Sequence, residues 1–396
     1  MKILRLIIAY MNNILYGIAA IYLGGIEDIL SLTFSISTGK INLLNNTFLA
    51  GCIIGALLFS TMFDGRHRYK IITLLILGAS FGVGFTHFPA TSALMFIGEL
   101  MLGICTSSNQ VYTTKLIYEY FPQYSSKLIP LTQLCVIVGA TSIGLIESTA
   151  MHYGFLATND IILILFITTG ILKFVTSWSA SVDIKNITPK ASILANIIHV
   201  LQPVKNLKLL IPMICLPFTN GVSGSILFVI ISPIIFLNTN YASITSVTFF
   251  VKGLSTLAIG LLFTRQLATT KGLTAIYLAY VASIILLAVF SFDNSNTLYL
   301  ATSFLIIAVV SAPITASTIC FVVNNSPPNK TATVAGCSNL VNYFGVFLAG
   351  IIVSFLLPSQ TGATLSMQAL SHTILFITSL GVVALTLMAI LLRLRK

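Results

Sequence analysis

Two charged side chains lie well inside apolar runs of this chain. Lys252 stands in "SVTFFVKGLSTLAIG" and Glu99 in "FIGELMLGIC". Only 7% of the residues are charged, so each buried charge is a departure from the surrounding composition. An ionisable group at the depth of a hydrocarbon core costs several kcal/mol on most estimates, which makes it a functional candidate by default. Lys252 suits a carboxylate or other anionic group. Glu99 suits an ammonium or a coupled proton, because burial disfavours the ionised form of a carboxyl. A zwitterion such as an amino acid would satisfy both charges at once. Two plainer roles stay open: a structural ion pair for Lys252, with Glu147 as one partner, and hydrogen bonding to neighbouring helices for Glu99. A third concentration of charge is "FSTMFDGRHRYKI", residues 59–71, which sets Asp64, Arg66, His67, Arg68 and Lys70 between two apolar stretches.

Softer polar signals accompany these charges. Asn12, Asn13 and Tyr16 fall in the first apolar run, Asn109 in "TSSNQVYTT", Asn220 in "LPFTNGVSG" and Asn342 near Asn339 and Tyr343. With Lys252, the residues Asn12, Asn13, Tyr16, Asn109, Asn220 and Asn342 are the candidate substrate-binding set. For any one of them, helix-to-helix hydrogen bonding is the competing role. Pro217, Gly221 and Gly224 permit a helix break around Asn220 whose freed backbone groups could line a cavity. Other chemistries find no support. The five histidines have no metal-ligand spacing, the six cysteines all fall inside apolar runs without paired spacing, and no Gly-rich phosphate loop or local nucleophile motif occurs. No metal, no cofactor and no enzymatic activity are expected.

The elements that must position these residues follow from composition. With 57% hydrophobic residues, a mean hydropathy of +1.01 and only 9 acidic and 20 basic residues over 396, the natural solvent is a bilayer. Apolar runs of about 20 residues match a hydrocarbon core roughly 30 Å thick and are read as helices, since backbone groups must be satisfied internally there. Twelve spans are expected, near 4–24, 43–63, 71–87, 93–116, 128–149, 159–179, 208–231, 242–264, 273–292, 297–322, 332–357 and 370–392. The longest connection lies between the sixth and seventh. It divides the chain into an N-terminal six-helix bundle (1–180), a central cytoplasmic loop (181–206) and a C-terminal six-helix bundle (207–396). If the N-terminus is cytoplasmic, 18 of the 20 lysines and arginines fall in inner segments or adjoining helix ends, Lys173 among them, while Lys40 is outside and Lys252 mid-span. That asymmetry places both termini in the cytoplasm. It also accounts for the net charge of +11 without nucleic acid. The expected location is a multi-pass protein of a bacterial-type inner membrane, with no cleavable signal peptide. Gly51 with Gly55, and Gly78 with Gly82, are read as sites of close helix packing.

The two halves echo each other. Ser60 and Asp64 at the end of the second span fall where Gly260 and Thr264 fall at the end of the eighth, and basic residues follow in both. At these positions the chain resembles the major facilitator superfamily, which carries a glycine, an aspartate and a basic cluster between spans two and three and a degraded copy between spans eight and nine. Asp64, Arg66, Arg68 and Lys70 match the first copy; Gly260, Arg265, Lys271 and Gly272 match the second. "IYEYFPQYSSK" is similar to the family's acidic–proline–basic signature through Glu119, Pro122 and Lys127. Ser60 replaces the usual first glycine, and the Gly-Pro pairing typical of drug antiporters is missing from span five.

The resemblance implies an all-α membrane protein of twelve transmembrane helices in two pseudo-symmetric six-helix bundles, with spans 1, 4, 7 and 10 around a central cavity. It implies that Asp64 meets the N-terminal end of span eleven, near Thr331–Ala335, where a carboxylate gains about 0.3–1 kcal/mol from unpaired amides. Asp64, Arg66, Arg68, Lys70 and Arg265 would then form a conformational latch, with a positive-inside anchor as the simpler role of the basic residues. The function implied is secondary active transport by alternating access, working as a monomer: proton-coupled uptake of a small polar metabolite, amino acids ahead of nucleosides or other organic ions, with Glu99 carrying the proton. Efflux of a drug or siderophore-like product by proton antiport, a ligand sensor that moves nothing, and a lipid translocator remain as alternatives. The expected partners are the solute, protons and membrane lipid.

Overall fold

A computed structural model describes residues 2–25, 38–63, 68–86, 92–178, 211–227, 244–293, 297–327, 330–356 and 367–394, together with Leu30 and Ser35. Among the described residues there is no strand. The helices are α1 (Lys2–Gly25), α2 (Thr38–Met62), α3 (Arg68–Thr86), α4 (Ser92–Tyr120), α5 (Ser125–Thr141), α6 (Ile143–Trp178), α7 (Leu216–Gly224), α8 (Ile244–Leu267), α9 (Thr270–Asp293), α10 (Thr297–Ser311), α11 (Ile314–Asn324), α12 (Thr331–Leu356) and α13 (Met367–Leu394). Seven described stretches are long and apolar enough to cross a membrane; Thr73–Thr86 and Ile211–Leu227 are shorter apolar helices.

Three of the expected spans are interrupted, each for a local reason. The fifth ends its first helix at Thr141, and α6 then bends at Gly154, whose φ of 83° is open to glycine at little cost. The tenth is divided into α10 and α11 at Ala312–Pro313, where the proline has no N–H for the helix ladder. In the seventh, the irregularity flanks the expected place. A π-helical turn occupies Ile211–Cys215 and another 225–227, and α7 runs regularly through Asn220 between them. Pro217 sits in the first turn of α7, where a missing N–H does no harm.

The chain divides into two compact units, each taking a short piece from the other half of the sequence. The first contains residues 1–125, 135–203 and 326–340; the second contains 126–134, 204–325 and 341–396. The expected loop at 181–206 lies outside the described residues, as do Asp64, Arg66 and His67. In the first unit α4 is the hub, packed by α1, α2 and α3, with α6 against α1 and α3. In the second, α9 packs on α13 and α10, and α8 on α10 and α11.

Glycines set the close approaches. A side chain at Gly51 or Gly55 would run into the α4 backbone at Leu100 or Ile104, and one at Gly82 would meet Gly98. At Gly78, a Cβ would meet the Cys105 sulfur. Within the first unit, Gly17 of α1 lies against Gly139; within the second, Gly221 of α7 lies against Gly345 of α12. The same contact thus recurs about 205 residues on, as an internal duplication requires.

A second matched pair is Ser60 against Gly336 in the first unit and Pro130 against Gly260 in the second. Ser60 and Gly260 hold equivalent positions in the two repeats. Where the first copy carries a serine in place of glycine, the glycine has moved to the facing helix.

Candidate functional site

The candidate residues of the first unit are carried by α1 and α4. Asn12 and Asn13 are buried, and so are Tyr16, Glu99 and Asn109. Asn13 donates through its amide nitrogen to the Ala9 carbonyl at 2.8 Å and to the Thr113 hydroxyl at 2.9 Å. Thr113 in turn donates to the Asn109 carbonyl at 2.7 Å. A polar chain therefore joins Asn13 to the Asn109 turn of α4. Among the described residues, Asn12 Nδ2 and Asn13 Oδ1 have no hydrogen-bond partner. Tyr16 stacks on Phe48 of α2, ring centroids 6.2 Å apart.

Glu99 sits elsewhere on α4. It is 2% exposed, and its Oε1 has no hydrogen-bond partner among the described residues. It lies within electrostatic reach of the Tyr22 hydroxyl of α1 and the Cys52 thiol of α2. Tyr22 belongs to a buried knot that the sequence reading missed. Its hydroxyl donates to Asn159 Oδ1 at 3.0 Å, the Thr86 hydroxyl lies 3.1 Å from the same oxygen, and Asn159 Nδ2 donates to the Val83 carbonyl at 3.1 Å. The knot ties α1, α3 and α6 together beside Glu99.

Lys173 is another group whose setting the sequence does not show. It lies near the end of its span, is 3% exposed and is turned into the bundle. Its ammonium donates to Asn109 Oδ1 at 3.4 Å and lies 4.6 Å from the centroid of the Tyr112 ring. A composition cue existed, since Lys173 follows a stretch, 161–172, that carries no charge. Nothing in the sequence distinguishes a lysine reaching outward from one reaching inward.

Asn220, Lys252 and Asn342 belong to the second unit. Asn220 Nδ2 donates to the Thr315 hydroxyl of α11 at 3.3 Å. Gly221 beside it abuts the Asn342 backbone carbonyl, so α7 brings Asn220 and Asn342 into one neighbourhood. Asn342 Oδ1 has no partner among the described residues. Lys252 is half-buried on α8, and its carbonyl accepts from Thr256 Oγ1 at 2.7 Å. Tyr277 and Tyr280 of α9 brace α7 at its two ends: Tyr277 Oη donates to the Leu216 carbonyl at 2.6 Å, and Tyr280 Oη lies 2.7 Å from Ser223 Oγ.

Of the proposed latch, Asp64 and Arg66 lie outside the described residues. Arg68 and Lys70 are in α3, and Arg265 is exposed at the end of α8. The contact of Ser60 with Gly336 does bring the end of α2 alongside the first turns of α12. No group of three or more metal-ligating side chains occurs among the described residues.

The sequence pattern of the Major Facilitator Superfamily matches residues 4–350. Two solved structures share the fold. The MFS proton:xylose symporter XylE, bound to 6-bromo-6-deoxy-D-glucose, matches with a TM-score of 0.71 at 13% identity, over 97% of this chain and 94% of its own. The human organic anion transporter MFSD10 (TETRAN) matches with a TM-score of 0.66 at 11% identity, over 98% and 99%. No curated protein matches the sequence.

Proposed function

Because this chain belongs to the Major Facilitator Superfamily and is an integral membrane protein of a transporter family, we propose that it carries a small polar metabolite across the membrane. Amino acids are the first class of substrate, uptake is driven by protons, and Glu99 is the group that loads and releases the proton. The two six-helix halves, 1–180 and 207–396, work by alternating access. The termini face the cytoplasm of a bacterial-type cell, and Asp64 latches against the start of α12.

The observation that carries the reading is the setting of Glu99. Its carboxyl is enclosed in the first unit, with one oxygen unpartnered among the described residues. An ionised carboxylate so enclosed costs several kcal/mol unless a cation or donors compensate it. A group of this kind holds a proton while sealed and gives it up when its surroundings open to water. The unpartnered amide atoms of Asn12, Asn13 and Asn342 are supporting features, since they could bind a polar solute. One structural relative is a proton symporter and the other an organic anion transporter, and both properties agree with the proposal.

The test is accumulation of labelled amino acids by vesicles holding the purified protein, with an imposed proton gradient of either sign. Inward proton flow should drive uptake. Glu99→Gln should lose gradient-driven accumulation while keeping exchange of solute across the membrane. Accumulation unaffected by Glu99→Gln removes the residue from coupling. Solute leaving as protons enter would establish the efflux reading instead.

A further inference from the structure

Lys173 is a buried charge that the transport reading leaves without a task. It stands near the C-terminal end of α6, in the span Ser148–Thr176. A lysine so placed ordinarily runs its stem along the helix and sets its ammonium in the interface. Here the side chain turns inward and is 3% exposed. Its contacts are the Asn109 amide oxygen at 3.4 Å and the face of Tyr112 at 4.6 Å. No carboxylate among the described residues lies within ion-pair distance of it.

These contacts undercompensate the charge. A cation over an aromatic face gains roughly 0.5–2 kcal/mol, and one long bond to a neutral oxygen adds little. Desolvating an ammonium costs several kcal/mol. The ammonium has three donors, of which the amide oxygen takes one. Asn109 is held in register from the other side, because its backbone carbonyl accepts from Thr113, which accepts from Asn13. With one lone pair of Asn109 Oδ1 taken by the ammonium, the two remaining ammonium donors and the two of the amide NH2 outnumber the one lone pair left. Lys173 and Asn109 together therefore present mainly donors. That is the complement of an anionic oxygen, and charge-assisted bonds of this type are the strong ones.

Resting on the transport reading above, we propose that Lys173 and the Asn109 amide form the subsite that binds the carboxylate of the transported solute, with Tyr112 as its apolar wall. Asn13 and Thr113 fix its geometry. The subsite lies within the first unit, on α4 and α6, and is separate from Lys252.

The experiment measures thermal stability of the purified full-length protein in detergent against glutamate, succinate, acetate, inorganic phosphate and uncharged glucose, for wild type, Lys173→Gln, Lys173→Arg and Asn109→Asp. At least one carboxylate should stabilise the wild type in a saturable way. Lys173→Gln should weaken that response by about 10-fold or more, as expected for a lost charge-assisted hydrogen bond, and Lys173→Arg should keep part of it. Asn109→Asp builds a carboxylate against the ammonium. It should melt higher than wild type without ligand and lose the response to added carboxylate, which remains readable if Lys173→Gln fails to fold. A panel without effect on the wild type, a response to phosphate or glucose alone, or an undiminished carboxylate response in Lys173→Gln or Asn109→Asp overturns the subsite. Carboxylate binding without flux in vesicles removes the transport reading and leaves the subsite standing. Flux with an unchanged anion response in both variants does the reverse.

Discussion

Replacing Gly336 by alanine would add one carbon to the first turns of α12, at the place occupied by the Ser60 side chain. The new Cβ would overlap Ser60 Cβ and lie 2.9 Å from its Oγ. Both positions are on helices, and Ser60 is fully buried, so the clash has no exposed rotamer to escape into. Overpacking of this kind costs about 1–3 kcal/mol. Alanine recovers up to roughly 1 kcal/mol of helix propensity over glycine, so the net loss is about 0–2 kcal/mol. Ser60→Gly alone should lose only a few tenths of a kcal/mol through propensity, on the order of 0.5; the hydroxyl it removes has no hydrogen-bond partner among the described residues. In the double variant the space freed at 60 receives the methyl at 336, so the two effects should not add. The expected coupling is about 1–3 kcal/mol in favour of the double variant. Reversible unfolding in mixed detergent micelles across the four-member cycle measures it. Coupling below ~0.5 kcal/mol would mean that the two residues are not in contact and that the serine–glycine exchange between the repeats has no structural meaning.

Two further substitutions probe the helix breaks. Tyr277→Phe removes a buried hydroxyl that donates to the Leu216 carbonyl at 2.6 Å, just beyond the π-helical turn. The carbonyl keeps the Thr219 hydroxyl as a donor at 3.0 Å, so the loss should be that of one hydrogen bond, about 0.5–1.5 kcal/mol in the same unfolding assay. Gly154→Ala meets no neighbouring atom but must adopt a φ of 83° with ψ of 167°. A loss of about 1–3 kcal/mol is expected from backbone strain alone, and a neutral result would show that residue 154 does not need the left-handed conformation at the bend of α6.

Much of the architecture is readable from residue types because a bilayer imposes it. Apolar length marks spans, and the repeat announces itself through Ser60 with Asp64 and Gly260 with Thr264. The packing glycines at 51, 55 and 82 are also visible, since two helix backbones approach closely only where side chains are missing. What stays hidden is the direction in which a side chain turns. Lys173 has the sequence context of an interfacial anchor, and its inward course depends on Asn109 and Tyr112, more than sixty residues away. Asn159 looks like any polar residue at a span end until Tyr22, Thr86 and Val83 surround it. The break expected at Asn220 shows a related difficulty. Pro217 and Gly221 both permit irregular backbone, but the proline falls in the first turn of α7, where it is harmless. The glycine is used for contact with α12. Glu99 and Lys252 are conspicuous in the sequence because charge in an apolar run needs no tertiary information to stand out.

The exchange of short pieces between the repeats bears on the order in which the protein is made. Residues 326–340 complete the first unit, yet they emerge long after Trp178 has been synthesised. At roughly 5–20 residues per second, the ~150 residues in between occupy the ribosome for on the order of ten to thirty seconds. Throughout that interval the Ser60 face of α2 must wait in lipid for a helix that does not yet exist. Its small side chain, with little apolar area and nothing to attract a wrong neighbour strongly, is suited to the delay.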